Sequence, residues 1–144
     1  MRNSIPEIQL KYIPNSKKRG INITGSQSAF MAFLNTWNMD TISLYEEFKI
    51  LLLNRSNQVL GVHTLAKGGT SAAMVDLKLL FAVVLKTASS SIILAHNHPS
   101  GNLKPSIADL KLQTKVQQAA LFLDVELLDN IIITKEGFYS YINE

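Results

Sequence analysis

Three side chains able to bind a metal ion lie close together in one stretch. It runs His96-Asn97-His98-Pro99-Ser100-Gly101-Asn102-Leu103-Lys104-Pro105-Ser106-Ile107-Ala108-Asp109. His96 and His98 are two residues apart, so if they close a strand both imidazoles share one face and Asn97 points to the other. The residues before them, Ile92-Ile93-Leu94-Ala95, are apolar and suit a rigid base for fixed ligands. Pro99 and Pro105 hold a short loop that returns the chain to a helix starting near Ser106. Asp109 then falls in the first turn, where the helix dipole favours a carboxylate. Two histidines and a carboxylate with no fourth protein ligand form the donor set of a catalytic zinc site, with water in the open position. Such an ion lowers the pKa of that water towards ~7 and polarises a carbonyl.

Each part taken singly has an ordinary structural reading. Ser106-x-x-Asp109 is close to a capping box, Pro-Ser-Gly is a turn signal, and a lone surface histidine is usually only that. Their combination favours a metal. The chain has no cysteine, which excludes thiolate chemistry, a disulfide scaffold and any Cys-ligated zinc or iron–sulfur site. His63, His96 and His98 are then the only imidazoles, and His63 sits in a strand pattern and reads as structural.

A hydrolytic site also needs a base to take the proton of water. Glu46, Glu47, Asp76, Asp124, Glu126 and Asp129 are all candidates by type. Glu46 and Glu47 abut an apolar strand at an edge where a pocket could open, and read equally well as solvated residues. Ser106 can cap its helix or hydrogen-bond an oxyanion on the attacked carbonyl.

The elements that must position these groups follow from periodicity. Residues 26–38 read as a helix capped by Ser26 or Ser28, with Phe30, Phe33, Leu34 and Trp37 on a core-facing side. Residues 46–54 read as a buried strand, and 58–65 as its return after the turn Arg55-Ser56-Asn57. The linker 66–72 carries the breaker Gly68-Gly69. Residues 72–87 predict a helix apolar nearly all round, hence buried. A strand from about Ile92 to His96 leads through the loop 100–105 to a helix with Ile107, Leu110, Val116, Ala119, Ala120 and Leu123 on its apolar side. Residues 125–134 and 137–143 read as two last strands. The order α-β-β-α-β-α-β-β predicts an α/β domain around a mixed sheet.

Length and charge agree with one domain. The 144 residues are 47% hydrophobic and only 17% charged, below the ~25% of average proteins and unlike a disordered chain. The net charge of +3 is local. Residues 1–25 hold Arg2, Lys11, Lys17, Lys18 and Arg19 against Glu7, while the rest holds nine basic and ten acidic residues. This segment reads as a basic, solvated arm, with contact to nucleic acid as the sharper alternative. The longest apolar stretch, Leu77 to Val84, is interrupted by Lys78 and is far short of the ~20 residues of a membrane span. With no apolar signal region at the start either, a cytoplasmic protein is expected.

The spacing His96-x-His98-x7-Ser106-x2-Asp109 resembles the JAMM (JAB1/MPN) metalloprotease motif. The fuller string HNHPSGNLKPSIAD resembles the bacterial RadC family, historically linked to DNA repair. The likeness runs from about Glu46 to the C-terminus. It implies a single mixed-sheet α/β domain with flanking helices over residues 26–144, of JAB/MPN, cytidine deaminase-like architecture. It further implies Zn2+ held by His96, His98 and Asp109, Glu46 rather than Glu47 as the base, and Ser106 steadying the oxyanion. Two features depart from the family. Asp129-Asn130 stands where its members usually carry Asp-His, and the helix–hairpin–helix DNA-binding region of longer RadC proteins has no counterpart here. The expectation is a zinc hydrolase acting on a peptide, isopeptide or other amide. A nucleic-acid accessory module using the basic arm and a non-catalytic interaction domain are the alternatives.

Overall fold

In the computed structural model, residues 4–14, 20–68 and 74–142 are described. Within them the order is α1 (Ser26–Leu34), β1 (Glu47–Leu53), β2 (Val59–Lys67), α2 (Leu77–Lys86), β3 (Ser91–Asn97), α3 (Ile107–Phe122), β4 (Glu126–Ile133) and β5 (Phe138–Ser140). The strands form one mixed sheet in the order β2-β1-β3-β4-β5. β3 and β4 are parallel and joined by α3, while the other neighbours are antiparallel. The architecture is the α/β, single mixed-sheet domain with flanking helices that the element order predicts.

Every residue of β1 and β3 is buried, which explains their unbroken apolar runs: both faces of the sheet are covered. On one face Leu51, Leu53, Ile93, Ala95, Ile131 and Ile133 pack against Ala29, Ala32 and Phe33 of α1. On the other, Phe48, Ile50, Leu52, Ile92 and Leu94 meet Leu80 and Val84 of α2 and Val116 and Ala120 of α3. The aromatic stripe of α1 and the turn after it is core, as its spacing suggests, with Phe33 and Trp37 in edge contact at 6.2 Å.

Several local expectations are corrected. α1 ends at Leu34, and its N-cap is Gly25 rather than a serine. Ser28 contributes from the third position, its Oγ accepting from the N–H groups of Thr24 and Gly25. β2 runs on to Lys67, so only Gly68 of the expected linker's first half lies outside the strand. Residues 69–73 lie outside the described residues. α2 starts at Leu77, capped by Asp76 through the Lys78 N–H, and it is not buried all round. Leu80 and Val84 are covered, joining the core on this face of the sheet, while Leu79 and Leu85 are more than half exposed. In α3, Val116 and Ala120 are buried, but Ile107 and Leu110 face outward, as does Leu123 just past its end. The last strand is three residues rather than seven.

Residues assigned by sequence to the end of the basic arm join the body. Asn22 bridges Gln58, and Ile23 enters the core. Further out, the Tyr12 hydroxyl donates to the Leu60 carbonyl. Lys17, Lys18 and Arg19 lie outside the described residues. Among the described residues, no helix is long and apolar enough to cross a membrane.

Candidate metal centre

The site forms where β3 ends and α3 begins. In the register of β1 and β3, His96 is opposite Phe48. It therefore shares the face of Phe48, Ile50 and Leu94, under α2 and α3. The imidazole is buried and lies flat on the Phe48 ring, with centroids 5.2 Å apart and planes 3° from parallel. His98 follows one residue beyond the strand, its N–H still bonded to the Ile133 carbonyl. A turn then closes with the Gly101 N–H on the His98 carbonyl. Gly101 has φ +85°, in the left-handed region that favours glycine.

Asp109 is delivered by the start of α3. Ser106 Oγ accepts from the Asp109 N–H at 3.0 Å, and Asp109 Oδ2 accepts from the Ser106 N–H at 2.8 Å. This reciprocal pair is a capping box, and it also aims the carboxylate. The alternative left open for Ser106 loses its force in the geometry. Capping uses its oxygen as an acceptor, so the hydroxyl proton is still available for donation.

The three donor atoms converge. His96 Nε2 lies 3.0 Å from His98 Nε2 and 3.4 Å from Asp109 Oδ2, and His98 Nε2 lies 3.1 Å from Asp109 Oδ2. Ligands ~2.0–2.1 Å from a tetrahedral zinc ion stand roughly 3.3 Å from one another, so the donor set fits such an ion. Among the described residues this is the one group of three His or acidic residues whose ligand atoms come together in this way.

The surroundings orient the ligands unequally. His98 Nδ1 is 2.6 Å from the Asn102 carbonyl. A carbonyl only accepts, so Nδ1 carries the proton and Nε2 is left for a metal, the outer-shell arrangement usual for histidine ligands. The Asp109 bond, opposed by burial and helped by the Asn102 carbonyl, raises the His98 pKa. A metal ion therefore competes there with a proton. Burial alone would raise the Asp109 carboxyl, but hydrogen bonds from His96 and His98 overcome it and hold the group well below the usual carboxylate range. His96 Nδ1 is buried with no hydrogen-bond partner; the stack on Phe48 holds that ring.

The carboxylates left open by sequence stand in different surroundings. Glu46 is half-buried, just before β1 and two residues from Phe48. Burial raises its pKa, while His96 and His98 pull it down and Asp109 pushes it up, so its carboxyl lies within electrostatic reach of all three. Glu47 is buried at the start of β1, one residue out of phase. Asp76 caps α2. Asp124 and Glu126 line a hollow at the Ser91 end of β3. Asp129 is buried against Ser140, whose hydroxyl is 2.9 and 2.7 Å from its two oxygens. Asn130, in the position of the family histidine, donates to Gln113 Oε1 of α3 at 2.8 Å. His63 is exposed on β2, away from the donor set.

Sequence reasoning missed Phe48, the Asn102 carbonyl and the partners of Asn97. The last had a usable signal: a polar residue alternating with two ligands must face the opposite, apolar side, and needs buried partners there.

Comparisons with known proteins place the chain in a family. A family model for the RadC-like JAB domain matches residues 23–144. Over 100 residues the chain is 44% identical to a UPF0758 protein of Flavobacterium johnsoniae and 40% identical to one of Porphyromonas gingivalis; each match covers 69% of this chain and 44% of the relative. A UPF0758 protein of Alkaliphilus metalliredigens is 39% identical over 95 residues, 66% of this chain and 41% of that protein. The matched region thus spans less than half the length of these curated relatives. With a family match over most of its length and a converging His-His-Asp group at the expected place, the chain belongs to the RadC-like JAB domain family.

Proposed function

We propose that the protein is a zinc-dependent hydrolase of amide bonds, of peptidase or isopeptidase type. The observation that carries this reading is the meeting of His96 Nε2, His98 Nε2 and Asp109 Oδ2 within 3.4 Å, with the Glu46 carboxyl in electrostatic reach. Zinc held by these residues would supply Lewis acidity, lowering the pKa of water towards ~7 and polarising a carbonyl. The chain supplies the rest. Glu46, raised by burial, is suited to take a proton from the attacking water and return it to the leaving amine. Ser106 donates its hydroxyl proton to the developing oxyanion while its oxygen keeps the helix cap. The Asn102 carbonyl and the Phe48 ring keep the two imidazoles in place.

The test is metal analysis of the purified protein, followed by hydrolysis of a panel of peptide and isopeptide substrates by the zinc-loaded form. One zinc per chain is expected, lost in His96→Ala and Asp109→Ala, with cleavage lost in Glu46→Gln. Sub-stoichiometric zinc that is unchanged by the ligand substitutions would sink the proposal.

A further inference from the structure

Asn97 stands between the two histidines but serves the opposite face. It is wholly buried. Its Oδ1 accepts from the Glu47 N–H at 2.7 Å, and its Nδ2 donates to the carbonyls of Ile42 and Tyr45, both at 2.7 Å. The Tyr45 carbonyl and the Glu47 N–H belong to the peptide groups immediately before and after Glu46. The Glu46 carbonyl itself accepts from the Gly68 N–H at 2.8 Å. Glu46 immediately precedes β1; the Gly68 bond extends the β1–β2 pairing by one residue, and the Asn97 side chain fixes the peptide groups on either side of Glu46. Both amide donors and the acceptor of Asn97 are used, and the partners lie 50 to 55 residues away in sequence.

We infer that Asn97 is a positioning residue: it ties the backbone on both sides of Glu46 to the strand that carries His96 and His98, and so holds the Glu46 carboxylate opposite the metal centre. The inference rests on Glu46 acting as the base. An asparagine needed only to satisfy a buried face could bond any nearby backbone; this one grips the two peptide groups that flank a single carboxylate.

The test uses the full chain loaded with cobalt(II), whose visible absorption is followed against pH. Removing a carboxylate beside the ion removes a negative charge that holds protons nearby. Glu46→Gln should therefore lower the spectral midpoint by about one pH unit. Asn97→Ala should lower it at least half as far, and should add nothing in the Glu46→Gln background, because the two changes act through one group. Asn97→Ser, which retains a hydroxyl for one of the three bonds, covers the case in which the alanine variant fails to fold, and should give a smaller shift of the same sign. Ser140→Ala removes a buried hydrogen bond elsewhere in the sheet and should leave the midpoint in place. In the unmutated protein the Glu47 amide should exchange as slowly as those of the β1 interior. A midpoint moved by Glu46→Gln but not by the Asn97 variants overturns the role of Asn97 and spares that of Glu46. A midpoint unmoved by Glu46→Gln overturns both, as does an unmutated chain that binds no cobalt. Fast exchange at Glu47 overturns the clamp directly.

Discussion

The two ends of β3 offer different kinds of site. At the Ser91 end, a hollow of about 720 Å³ is lined by Arg55, Asn57, Ser90, Asp124 and Glu126 among others. It is roomy and charged, but among the described residues its acidic groups join no converging set. At the Asn97 end there is more order: three ligand atoms, a capping box, a stacked ring and a carbonyl-anchored imidazole meet where β3 gives way to α3. Volume does not identify a reactive centre. Convergence of groups whose own partners are fixed does, because only such groups keep their geometry when a charge arrives.

Several measurements would break or sharpen that contrast. The largest effect is expected from His96→Ala, which removes one of three donors and should lower metal affinity by more than about 100-fold, read by competition with a chelating dye. Asp124→Ala at the other end should leave affinity unchanged, and equal losses from both would erase the distinction. Glu46→Gln should cut amide hydrolysis by ~10²–10⁴ while metal stays bound, and Glu47→Gln should cost far less. Next comes pH. The Asp109 bond raises the His98 pKa above its ordinary 6.5, and binding needs the neutral ring. Apparent metal affinity should therefore hold at alkaline pH and fall as pH drops through that raised value, by about tenfold per unit for one competing proton. Flat affinity from pH 8 to 5 would contradict it. The smallest effect is Ser106→Ala, which removes the α3 cap and should cost about 1 kcal/mol in thermal or denaturant unfolding.

How much of this could be read from sequence depends on the range of the interaction. The His96–His98 pair and Asp109 were legible because strand alternation and a helix start are local rules. So were β1 and β3, whose apolar runs report a sheet covered on both faces. The burial of α2 was not, since Leu79 and Leu85 look the same to local pattern whether or not a neighbour covers them. Between Glu46 and Glu47 the local pattern left the choice even, and the preference for Glu46 came only from the family likeness. Asn97 was read correctly as facing away, but its partners across the fold were out of reach of any local rule.

Asp109 has two employers. It is the third residue of the α3 capping box and also one corner of the donor triangle. Fraying of the first helical turn would carry a ligand away, and an ion drawing on that ligand would resist the fraying. Occupancy of the centre and the local opening equilibrium of α3 would thus be linked. The amides of Ala108 to Leu110 should be the backbone's most sensitive reporters of whether an ion is bound.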